Sequence, residues 1–123
     1  TFCAIAGIAP AEWMQGQALP VDDDDADKRG FERALTEWDS ELFGVGVYLR
    51  TITRDQWVCT AYLPGYAHDG TEGELYNLAE DPLQTNNLWE DRDYQSVRAD
   101  LVADLWDHQP PVHEPRLELE APV

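Results

Sequence analysis

Residues Gly73 to Leu88 read GELYNLAEDPLQTNNL, and the rest of the chain is arranged around this stretch. Leu75 alternates with Glu74, and Tyr76 with Asn77, the period of two that marks a half-buried strand. The strand has to stop by Asp81-Pro82, because proline offers no amide donor and pushes the residue before it out of the helical region. Gln84, Thr85, Asn86 and Asn87 carry side chains that bond nearby backbone, which is turn chemistry. Leu88 and Trp89 then bring the chain back to a core. Leu75, Leu78 and Leu88 are expected to face the helix that follows, with Tyr76 on the other side of the strand.

From Arg92 the period changes. Tyr94, Val97, Leu101, Val102 and Leu105 fall on one face of a helix, with Asp91 or Asp93 to cap it and His108 near its end. Upstream, Tyr48 to Thr53 and Trp57 to Leu63 read as two strands joined by a turn at Arg54-Asp55, and Pro64-Gly65 stops the second. Phe31 to Trp38 is ambiguous between a helical turn and a strand, and Gly44-Val45-Gly46-Val47 loosens the chain. The expected fold is α+β: a small antiparallel sheet of about four strands packed against one C-terminal amphipathic helix.

Charge narrows the range of partners. Fourteen Asp and eleven Glu oppose seven Arg and one Lys, for a formal charge of −17. With no basic patch to neutralise phosphates, the chain argues against nucleic acid and against an anionic membrane as partners. The acids read as a solvated surface, or more sharply as adaptation to salty surroundings. No apolar run approaches the ~20 residues that span a bilayer. The run Val21 to Arg29, VDDDDADKR, matches a calcium loop starting at Asp23 only in part. Asp23, Asp25 and Asp27 fit its first three positions, but Lys28 stands where glycine is required and Ala34 where the bidentate Glu belongs. Cys3 and Cys59 read as small buried hydrophobes, and His68, His108 and His113 have no zinc-ligand spacing.

Glu74-Leu75-Tyr76-Asn77-Leu78, then Glu80-Asp81-Pro82, Gln84 and Asn87-Leu88, resembles the E-L-Y-[DN]-L-x-x-D-P-x-[EQ]-x-x-N-L signature near the C-terminus of the sulfatase family, metal-dependent hydrolases of the alkaline-phosphatase-like superfamily. Thr1 to Ile8 with the following Met14 to Leu19, and Leu49 to Tyr62, resemble two further stretches of that family, and the resemblance favours a strand ending near Trp38 for the ambiguous Phe31 to Trp38 stretch. The resemblance covers Thr1 to His108. It implies three segments: 1–30 is the end of a truncated helix and an acidic loop leading from a missing N-terminal catalytic domain, 31–108 is the C-terminal subdomain, and 109–123 is an extended proline-rich tail. Glu74, Leu75, Tyr76, Asn77, Leu78, Asp81, Pro82, Asn87 and Leu88 are its motif residues, with a structural role.

The resemblance also implies calcium and a formylglycine for the parent enzyme, with a small-molecule sulfate ester as its substrate. Metal and cations neutralise the anionic ester while the nucleophile attacks sulfur. Neither cysteine here lies in a formylglycine motif. Cys3 has Ile5 and Gly7 where Pro or Ala and then Arg are wanted, and Cys59 has Leu63 in place of the Arg. The fragment is therefore expected to hold no cofactor, metal ligand or catalytic residue of its own, and to partner the missing N-terminal domain. Trp38, Asp39 and His68 fall at expected loop or strand ends, and by analogy with the family such positions border the substrate cleft. The competing reading is a free-standing acidic protein-interaction module.

Overall fold

The computed structural model describes residues 1–14, 18–19 and 32–109. The acidic run with the calcium-loop candidates Asp23, Asp25 and Asp27, Phe31 and the proline-rich tail beyond residue 109 lie outside them. The chain divides into two compact units between Glu32 and Arg33.

In the first unit, α1 (Phe2–Ala6) is a short helix closed by Gly7 in the left-handed region, φ 66°, where glycine meets no steric penalty. Cys3 is only half-buried there, unlike the buried hydrophobe expected of it, because five helical residues cannot enclose a side chain. Thr1 accepts the Leu19 amide through its hydroxyl at 2.7 Å.

The second unit is an antiparallel meander of β1 (Ala34–Leu42), β2 (Val45–Arg54), β3 (Trp57–Tyr62) and β4 (Gly73–Asn77), in spatial order β1-β2-β3-β4. A 3-10 turn, Arg92–Tyr94, leads into α2 (Gln95–His108). Asp91 accepts the Asp93 amide at 2.9 Å and so caps the turn. The expected four strands and one C-terminal helix are therefore present.

Two boundaries differ from the sequence reading. The first strand runs from Ala34 to Leu42 instead of ending near Trp38, and β2 starts at Val45 instead of Tyr48. The cause is a two-residue hairpin turn at Phe43 and Gly44, both at positive φ (53° and 79°), between the paired Leu42 and Val45. Such a turn continues the right-handed twist of its strands, so the glycine-containing stretch stays in the ladder. The next hairpin turns on Asp55-Gln56, one residue later than expected, with Asp55 at φ 54°.

One face of the sheet meets α2. Ile52, Cys59, Ala61 and Leu75 pack with Leu88, Trp89, Leu101 and Leu105, and Leu35, Trp57, Val97 and Trp106 close the edges. Leu75 and Leu88 are helix-facing as expected. Leu78 is not part of this cluster: it follows the last strand residue, is half-buried, and gives its amide to Gln56 O at 2.7 Å.

Candidate functional site

Two regions carry the residues singled out from the sequence: the Gly73–Leu88 stretch, and the end of the sheet near Trp38 and His68. In the first, β4 is the last strand, so its outer edge needs partners. Asn87 supplies them. Its Oδ1 accepts the Leu75 and Trp89 amides, each at 3.0 Å, and its Nδ2 donates to Gly73 O at 3.0 Å. The Leu88 amide donates to Leu75 O at 2.9 Å, so residues 87 and 88 stand in for a fifth strand. Asp81 organises the turn between, accepting the Thr85 and Asn86 amides at 2.7 and 2.8 Å and the Thr85 hydroxyl at 3.1 Å. The Asn86 amide, then Thr85, holds the Asp81 carboxyl below its ordinary pKa. Asn77 accepts the Ala79 amide through Oδ1 at 3.1 Å. Glycine is needed at 73 because a Cβ there would stand 2.4 Å from Thr60 O and 2.6 Å from the Trp89 ring. The Trp89 indole in turn donates to Thr71 O at 3.1 Å, under the Arg98 guanidinium 4.8 Å away.

In the second region, Trp38 and Asp39 lie inside β1, paired with Leu49 and Tyr48, and not at a strand end. Alternation sends them to opposite faces. Asp39 is on the helix side, where it binds the buried Arg50 at 2.7 Å; Glu37 adds a longer contact at 3.7 Å. Trp38 is on the other side, 60% exposed. His68 joins Trp38's face through Tyr62, which pairs with Leu49 across the sheet: the His68 and Tyr62 rings lie 4.3 Å apart. Structure thus brings Trp38 and His68 to one face and takes Asp39 away.

Sequence reasoning missed Tyr62, Glu72 and Arg50. Tyr62 donates to Glu74 at 2.6 Å, and burial together with that bond raises its pKa. Glu72 accepts the Asp69 and Gly70 amides at 3.1 and 3.3 Å and so folds the His68 loop back on itself. The available signal for Arg50 was its place two residues before Ile52, on the core side of a strand.

The implied cofactors do not fit the described residues. Among these, no three His, Cys, Asp or Glu side chains converge to hold a metal ion. The carboxylates at the helix seam are engaged by cations. Asp104 meets Arg54 at 2.5 Å and Arg33 at 3.1 Å; burial raises its pKa, but these guanidiniums outweigh that and keep it low. Cys59 is fully buried, and burial pushes its thiol up to about 11, so it stays protonated and inert as a nucleophile. Among the described residues, no helix is long and apolar enough to cross a membrane.

No family profile and no curated protein matches the chain. Solved structures do, two sulfatases among them. One is a Bacteroides thetaiotaomicron VPI-5482 protein assigned as a sulfatase, with a TM-score of 0.72, and the other is the 2-O GAG sulfatase BT1596, with a TM-score of 0.69. Each is 30% identical over 87% of this chain, and the match spans only 22% of the other chain. With the four-stranded sheet, the single covering helix and the closed Gly73–Leu88 turn already in place, this likeness identifies the chain as a sulfatase-like C-terminal portion.

Proposed function

We propose that the chain is the C-terminal subdomain of a sulfatase-like hydrolase, non-catalytic alone, which covers the large domain and shapes the substrate cleft. The observation that carries this reading is the lopsided coverage: 87% of this chain against 22% of each sulfatase. In this reading sulfuric ester hydrolysis, calcium and formylglycine belong to the remainder of the parent protein. The chain's own residues support and position. Of the three expected rim residues, His68 stands in the loop after β3 from which a cleft rim would be built, Trp38 lies within β1 on the sheet face opposite α2, and Asp39 is taken up by Arg50. Cys59 has neither the ionisation nor the access of a nucleophile, and the cations near the helix seam are neutralised by carboxylates.

The test is hydrolysis of an aryl sulfate. The chain alone should show none, with or without calcium, and the longer protein that contains it should be active. Calcium-dependent turnover by the chain alone, lost on Cys59→Ala, would overturn the reading.

A further inference from the structure

We propose that the sheet face opposite α2 is the surface by which this unit docks on the rest of its sulfatase-like protein, an inference that rests on the function proposed above. Strand alternation puts Trp38, Leu49, Thr51, Val58, Tyr62 and Tyr76 on this face, and the register aligns them in rows: Trp38 with Leu49 and Tyr62, Val58 with Tyr76. Among the described strand positions there, only Glu74 is charged, and it is bonded to the Tyr62 hydroxyl. The Thr51 and Thr60 hydroxyls satisfy each other at 2.9 Å. The opposite face, beyond the reach of the core, carries Glu37, Asp39, Glu41, Arg50 and Arg54. In a chain with 27% charged residues, a nearly uncharged sheet face is a departure that water does not require. Aromatic and uncharged is the composition of an interface centre, where each unpaired charge would cost desolvation.

The occupant follows from size and coverage. Four strands spaced ~4.8 Å apart, rising ~3.3 Å per residue, present a face on the order of 400 Å². That is about half of the ~800 Å² per partner typical of a free-standing complex. A second copy would be held weakly by it, whereas a surface tethered in the same polypeptide has effective concentration in its favour. The matched sulfatases extend far beyond the 22% that corresponds to this chain, which leaves such a tethered surface in proteins of this kind. The partner is therefore an apolar, aromatic-tolerant surface of the large domain.

Hydroxyl-radical footprinting tests this on two proteins, the chain alone and the longer protein that contains it. Trp38 and Tyr76 should label readily in the first and lose most of that labelling in the second, while the α2 surface labels alike in both. Thr36→Lys, at an exposed edge-strand position of this face, should lower the melting temperature of the longer protein and leave that of the chain unchanged. Ala103→Lys, on the exposed side of α2, should alter neither. Equal labelling of Trp38 and Tyr76 in both proteins overturns the docking face. So does a dimer of the chain alone that Thr36→Lys dissociates, since the occupant would then be a second copy. Failure of the longer protein to hydrolyse an aryl sulfate strikes the functional reading and is read independently of the footprint.

Discussion

Replacing Asn87 with Ala tests whether one side chain closes the sheet. The substitution removes three hydrogen bonds at once: those from the Leu75 and Trp89 amides and the one to Gly73 O. A typical intramolecular hydrogen bond contributes about 0.5–1.5 kcal/mol net, so three give about 1.5–4.5 kcal/mol. Asn87 is exposed, and beside it Glu72, Gly73, Trp89 and Glu90 line an open depression of about 230 Å³, so water can reach the groups left behind. Rehydration places the expected loss in the lower half of that range, about 1.5–2.5 kcal/mol. For a unit of this size that lowers the melting temperature by roughly 6–20 °C. Urea titration should show a lower midpoint with an unchanged slope, because the same surface is exposed on unfolding. Asn87→Asp retains both accepted bonds and loses only the donated one, so it should be the milder change. A loss below about 0.5 kcal/mol for Asn87→Ala would refute the idea that this residue substitutes for a strand.

The other predictions concern packing, pH and salt. Leu75→Ala, at a fully buried position, should cost about 2–5 kcal/mol, and Tyr76→Ala on the opposite face should cost the chain less; thermal melts that reverse this order would mean the strand is assigned to the wrong face. The lowered pKa of Asp81 means its carboxylate stabilises the fold above the unfolded-state value of about 3.9, and that contribution disappears as pH falls through the lower folded value. Asp81→Asn should therefore be less stable than the parent at neutral pH, and the gap should close toward the acid end; a gap that is constant with pH would assign the effect to geometry alone. With a formal charge of −17, the chain should melt higher as salt rises from low to moderate concentration, and a flat or falling melting temperature would show that repulsion is already offset within the fold.

The parts legible in the sequence were those where side-chain period and turn chemistry agree. β4 alternates buried and half-buried residues along its length before the Asp81 turn, and α2 buries Leu101 and Leu105 on one face. The β1–β2 hairpin was hidden because its turn is Phe43-Gly44, and phenylalanine at positive φ lacks the Asn or Asp that usually signals such a turn. That error displaced Trp38 and Asp39 from the interior of a strand to a supposed strand end. Their separation onto two faces followed from it, since one strand residue decides the face of the next. Arg50 was illegible for a different reason. Its burial depends on Asp39 from a neighbouring strand, which only the register supplies.

The placement of polar groups in the Gly73–Leu88 stretch bears on what kind of marker it is. Asn77, Asp81 and Asn87 all direct side-chain oxygens at main-chain amides within the stretch and the residue after it, and the Asn87 amide nitrogen turns to main chain as well. Leu75 and Leu88 are held in the core by the same contacts, and Gly73 admits no side chain at all. Groups committed in this way hold a backbone path and have little capacity left to recognise a ligand. The stretch therefore marks the fold by geometry, its polar side chains spent on its own main chain and its apolar ones on the α2 core.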